Sequence, residues 1–102
     1  MIQVRVVKSN GSLTGLQISG HSGSAERGKD LVCAAVSGIA FGLLNALDEL
    51  VPSSQIEVSD NLITVNISAP DERSELVMKT GLIQFKTVEE ANKKYIKVKM
   101  EV

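Results

Sequence analysis

His21 and Cys33 are the only histidine and the only cysteine in this 102-residue chain. A polar stretch containing Gly23 and Gly28 separates them, and an apolar run begins at Leu31. A thiol attacks carbonyls as its thiolate, and an imidazole within reach serves as base or ion-pair partner. A connection of this length can fold back and bring the two side chains together. Asp30 reads as the N-cap of a helix, its carboxylate accepting a free N–H of the first turn. Cys33 then falls early in that helix, among unpaired N–H groups and at the positive end of the helix dipole. Both favour the thiolate, and the same N–H groups can hold a developing oxyanion. Ser37 is one turn further on the same face, within reach of the thiol or of a substrate carbonyl.

Asp30 has a second possible role, orienting His21 as the third member of a triad. A carboxylate so close to Cys33 opposes thiolate formation, so capping is the stronger reading. The residue types also allow a plainer account. A lone cysteine in an apolar helix is commonly a small core residue, and a lone histidine at a strand end is commonly a surface group. One His and one Cys cannot fill a structural zinc site. Gly28-Lys29 is followed by Asp30 rather than by the Ser or Thr of a phosphate loop. No metal and no cofactor is expected.

The elements that must position these residues are legible in the apolar spacing. Ile2, Val4 and Val6 alternate as a half-buried strand. Asn10-Gly11 marks a tight hairpin turn, and Leu16 and Ile18 continue a second strand that ends at Gly20-His21. The loop runs to about Lys29, and a helix is expected from near Asp30 to about Leu50. Its apolar stripe is Leu31, Ala35, Ile39, Leu43, Leu47 and Leu50, widened by Val36, Ala40 and Leu44. Gly38 and Gly42 would let another backbone approach closely. Ile56 and Val58 suggest a third strand, and Ile63, Val65 and Ile67 a fourth. A second helix is expected over about residues 72–93 from Leu76, Leu82, Ile83, Phe85 and Val88, with Gly81 as a weak point. Ile96, Val98, Met100 and Val102 alternate as a last strand. The order ββαββαβ implies an α+β two-layer domain, a mostly antiparallel sheet with two helices packed on one face. The whole of residues 1–102 reads as one domain.

Composition narrows the partners. Aromatic residues make up 3% of the chain and the net charge is -1, which argues against base stacking and phosphate attraction, so no direct nucleic-acid partner is expected. Lys93, Lys94, Lys97 and Lys99 are interleaved with Glu89, Glu90 and Glu101 and read as a solvated face. No stretch is expected to span a membrane, and the start has no signal-peptide shape. A cytoplasmic location follows as an expectation. The first helix is apolar nearly all round, so either the monomer buries it or a second copy covers part of it.

Gly20-His21-Ser22-Gly23 followed by Gly28-Lys29-Asp30-Leu31-Val32-Cys33-Ala34-Ala35-Val36-Ser37 resembles the signature of the Prp ribosomal-processing cysteine proteases. The length and the ββαββαβ order are also similar. The resemblance implies an endopeptidase that removes the N-terminal extension of a large-subunit ribosomal protein, number twenty-seven in the bacterial series. It implies Cys33 as nucleophile, His21 as base or ion-pair partner, a homodimer, and a loop that orders when the peptide binds. Gly20, Ser22, Gly23 and Gly28 would belong to that loop and contact substrate; Asp30 and Ser37 would support the dyad. Ser22 stands where the family commonly has Ala, and Ser24 where it commonly has Tyr, which removes apolar contact with substrate and leaves the dyad intact. The alternative is a non-catalytic, ribosome-associated module that uses the 22–30 loop as a peptide clamp.

Overall fold

Five strands and two helices follow one another in the expected order: β1 (Ile2–Ser9), β2 (Ser12–Ser19), α1 (Arg27–Leu50), β3 (Ser54–Ser59), β4 (Leu62–Ile67), α2 (Glu72–Ala91) and β5 (Ile96–Glu101). This computed structural model describes residues 1–20 and 27–102, with residues 27–30 described through their backbone alone. The strands form one sheet in the order β3-β4-β2-β1-β5. The hairpin pairs β1–β2 and β3–β4 and the β2–β4 pair between them are antiparallel, and β1 with β5 is the parallel pair. Parallel pairing needs a crossover, and α2 supplies it by carrying the chain from β4 past β2 and β1 to the far edge.

Alternation along the strands sorts the two faces. Ile2, Val4, Val6, Leu16, Ile18, Ile63, Val65, Ile67 and Ile96 are buried on one side. They form one core with Val32, Val36, Ala40, Leu43, Leu44 and Leu47 of α1 and Met78, Leu82 and Phe85 of α2. The opposite face is polar and open. There the register sets Arg5 beside Gln17 and Lys99. The Arg5 guanidinium donates to Gln17 Oε1 at 3.0 Å and to both Glu101 carboxylate oxygens at 3.0 and 2.8 Å. The hydrogen bond from Arg5 is the main cause holding the Glu101 carboxyl below its ordinary range, and its counterpart raises Arg5. Both groups are water-exposed, so the pair adds little stability.

The structure corrects the helix stripes. On α1 the sheet-facing row is Val32, Val36, Ala40, Leu43, Leu44 and Leu47, while Leu31 and Leu50 are exposed. The expected stripe was offset because α1 is apolar on both its faces, so spacing alone does not choose between them. On α2 Met78 is buried instead of Leu76 and Ile83, which face solvent. By length and composition Leu31–Leu50 is also apolar enough to cross a membrane, contrary to the sequence-based expectation. In this fold its sheet-facing row forms the domain core.

Three glycines have distinct roles. Asn10 (φ 51°) and Gly11 (φ 82°) both take positive φ, the geometry of the two-residue hairpin turn that Asn-Gly favours. Gly81, expected to weaken α2, is instead where the helices meet: a Cβ there would lie 2.7 Å from Leu43 Cδ2. A Cβ on Gly38 or Gly42 would meet nothing within 4 Å, so those two do not serve as points of close approach. Gly20 has φ 76°, and a Cβ there would lie 2.5 Å from the Met1 carbonyl oxygen. Both the backbone conformation and the space admit only glycine. Gly20→Ala is expected to cost about 1–3 kcal/mol from backbone strain, with the clash against Met1 in addition, read as a lower midpoint in denaturant unfolding.

Candidate active site

Cys33 sits on α1, partly exposed and packed against the core. Helix α1 begins at Arg27 rather than near Asp30. Asp30 therefore lies inside the first turn and is not in the capping position, and Cys33 is the seventh helical residue. The N–H groups left free at a helix start are those of its first turn, which here ends at Asp30, about 4.5 Å along the axis before Cys33 at 1.5 Å per residue. The N–H of Cys33 belongs to the helix ladder. The expected oxyanion donors at Cys33 are thus displaced by a turn, and the helix dipole, which fades within that turn, acts more weakly there. The cause is that α1 takes up residues 27–29, which the glycine and charge content of Gly28-Lys29 had assigned to the loop.

The two helices run antiparallel, and their groove shows which way Cys33 faces. Gly38, Ile39, Gly42 and Ala46 of α1 line it with Val77, Thr80 and Gln84 of α2, around a space of about 450 Å³. With Val32, Val36, Ala40 and Leu47 on the sheet, a 3.6-residue period puts Cys33 and Ser37 on the flank of α1 away from α2. That flank faces the side of the sheet where β3 is the edge strand. Ser37 stands one turn after Cys33 on the same flank and is partly exposed, as the spacing predicted. Ile56 and Val58, read from sequence only as strand residues, are the apolar side chains of that edge.

His21, Ser22 and Gly23 lie outside the described residues, and with them the geometry of the dyad and the loop. The chain nevertheless enters that segment at a defined place. Ser19 pairs with Gln3 on one side and Leu62 on the other, so the segment leaves from the middle of the sheet, at the end where α1 begins. Gly20 has its structural duty against Met1. Gly28 lies in the first turn of α1. Among the described residues no group of three His, Cys, Asp or Glu side chains stands ready to hold a metal.

Comparison with known proteins agrees with this layout. The family model described as cysteine protease Prp matches residues 1–97. The ribosomal processing cysteine protease Prp of Staphylococcus aureus is 33% identical over 95 residues, covering 88% of this chain and 90% of that one. The Bacillus subtilis protein of the same name is 40% identical over 48 residues, 46% of this chain and 43% of that one. The crystal structure of the Staphylococcus aureus protease in complex with a substrate peptide superposes with a TM-score of 0.90 at 25% identity, over 99% of this chain and 100% of that chain. A second crystal structure of that protease holds a covalently linked product peptide and gives a TM-score of 0.82 at 25% identity, over the same shares. A Streptococcus mutans structure gives 0.85 at 30% identity, over 99% of this chain and 94% of that one. With its matching fold and its one cysteine on the first helix, the chain belongs to the Prp family of ribosomal-processing cysteine proteases.

Proposed function

We propose that this enzyme removes the N-terminal extension of a large-subunit ribosomal protein, the bacterial number twenty-seven, with Cys33 as nucleophile and His21 as its base. One observation carries the assignment: a cysteine protease needs a thiol, and this chain has one cysteine. The Cys33 sulfur attacks the scissile carbonyl carbon, and the S–C bond forms as the carbonyl becomes an oxyanion. The C–N bond then breaks, and the imidazolium of His21 gives its proton to the leaving amine. The extension remains as a thioester on Cys33, and water, deprotonated by the same imidazole, releases it as a carboxylate. Ser37 faces the same side and is a hydroxyl donor for a substrate carbonyl. Asp30 in the first turn favours the helix start electrostatically. Ser22, Gly23 and Gly28 border the substrate. A substrate peptide in the Staphylococcus aureus relative supports a peptide partner here. The work belongs in the cytoplasm, where ribosomes assemble.

Cys33→Ser is expected to lose at least about 10³-fold in cleavage of a peptide spanning the extension junction, by analogy with other lost nucleophiles. His21→Ala is expected to lose about 10²- to 10⁴-fold. Equal cleavage by wild type and Cys33→Ser would end the catalytic assignment and restore the peptide-clamp alternative.

The protein also acts as a homodimer in this proposal. The support is apolar surface on the outward faces of both helices: Leu31 is 70% exposed, Leu76 63% and Ile83 56%. A surface of this kind is commonly an interface. Sedimentation equilibrium at micromolar concentration is expected to give twice the chain mass. Monomer mass under those conditions would remove the dimer.

A further inference from the structure

We propose that the β5 edge of the sheet, with the turn that enters it from α2, binds the phosphate backbone of RNA through Lys93, Lys94, Lys97 and Lys99. The choice of RNA rests on the ribosomal-protein reading above; the charge pattern stands without it. By sequence these lysines balance Glu89, Glu90 and Glu101, but the fold engages two of those acids elsewhere. The Glu89 carboxylate turns onto the strand edge and accepts the N–H of Val98 at 2.7 Å. Glu101 is held by the Arg5 guanidinium at 2.8 Å, the one ion pair among the described residues, and that pair adds no net charge. Lys99 acts on Glu101 only through the longer-range field. All four lysines are exposed, as is Glu90. None of the four has a carboxylate within ion-pair distance among the described residues.

Hydrogen-bonded backbone presents these cations. Asn92 closes α2: its N–H donates to the Glu89 carbonyl at 3.1 Å and its side-chain amide to the Val88 carbonyl at 2.9 Å. The Asn92 carbonyl accepts the N–H groups of Tyr95 and Ile96 at 2.9 and 3.3 Å, and the Tyr95 carbonyl accepts the N–H of Ile2 at 2.9 Å. Lys93 and Lys94 therefore stand on a closed turn, with the Lys94 ammonium 5.5 Å from the centre of the Tyr95 ring. Along β5 the register sets Lys97 beside Gln3 and Lys99 beside Arg5 on the open face of the sheet, about 7 Å apart along the strand. A groove of about 350 Å³, lined by Met1, Glu89, Lys93, Ile96 and Lys97, lies between the helix end and the strand.

The net charge of -1 conceals a separation of charge. Asp71, Glu72 and Glu75 stand at the start of α2, and Asp48 and Glu49 at the end of α1. Those acids are about 30 Å along α2 from Lys93. A phosphate backbone is thus drawn to one end of the molecule and repelled from the other. The expectation of no direct nucleic-acid partner rested on whole-chain charge and few aromatic residues. Contact with phosphates alone needs neither base stacking nor a basic chain; a local cationic edge suffices, and it positions RNA without reading its sequence. Helix α1 starts at this same end, but its Cys33 flank faces β3, across the sheet from β5. RNA on β5 leaves that flank free for a substrate protein that is itself bound to RNA.

Fluorescence anisotropy with a fluorescein-labelled duplex RNA of arbitrary sequence tests the contact. Four phosphate contacts predict that log affinity falls against log salt with a slope of about -3 to -4. Lys97→Gln/Lys99→Gln is expected to weaken binding at least about tenfold at low salt and to flatten that slope by about 2. Thermal unfolding and cleavage of the junction peptide are expected to stay unchanged in that variant. Lys97→Arg/Lys99→Arg keeps the charge and binds within about twofold, as does Lys8→Gln at the far end of β1. No binding at low salt, or binding that Lys97→Gln/Lys99→Gln leaves intact, overturns the proposal. So does binding to phosphatidylglycerol vesicles in place of RNA, which would give the edge to a membrane. RNA binding by a protein that leaves the junction peptide uncut would refute the protease reading and leave the RNA contact standing.

Discussion

Helix α1 can lay only one stripe on the sheet, and most of the molecule follows from which stripe it is. Val32, Val36, Ala40 and Leu47 take the sheet. Gly81 then lets α2 come close against Leu43, which commits the adjoining flank to helix–helix packing. Only the third flank remains for chemistry, and Cys33 and Ser37 lie on it. The Cys33 thiol is thus positioned by packing between aliphatic side chains, on a helix, rather than by a network of polar partners. Moving the stripe by one residue would turn Cys33 by about 100°.

The same packing leaves the sheet unequally covered. Two helices on five strands cover the middle, and the edges need other solutions. At β5 the carboxylate of Glu89 fills the outer N–H of Val98, and the exposed lysines Lys97 and Lys99 discourage pairing with another chain. At β3 the outer edge carries Gln55 and Glu57 on the open face and an uncovered Val58 on the other. An exposed apolar strand edge is a liability that proteins retain where they use it.

Much of the fold was legible because period-two alternation is unambiguous: Ile2-Val4-Val6 and Ile63-Val65-Ile67 have polar residues between them, and Asn10-Gly11 dictates its turn. The helices were legible as elements but not as faces. Leu31, Ala35 and Ile39 form as good a stripe as Val32, Val36 and Ala40, and only the position of α2 decides between them. The glycines were misread for the same reason, since Gly81 and Gly42 look alike until the partner helix is present. The start of α1 was placed three residues late because Asp30 is a good cap by residue type, while Arg27, Gly28 and Lys29 have no apolar periodicity to place them in a helix. That Cys33 and Ser37 share one flank of α1 was legible from their spacing of one turn. The exposure of Val58 was not legible, because it depends on how far α1 reaches over the sheet.

In the proposed reaction the Cys33 sulfur forms the bond to the substrate carbonyl. An affinity reagent built from the extension sequence and ending in a chloromethyl ketone at the scissile position tests it directly, by intact mass and peptide mapping. One adduct per chain is expected, on Cys33, with cleavage lost in proportion to labelling and no adduct in Cys33→Ser. Full cleavage by quantitatively labelled protein, or stoichiometric labelling elsewhere in the chain with Cys33 untouched, would contradict it.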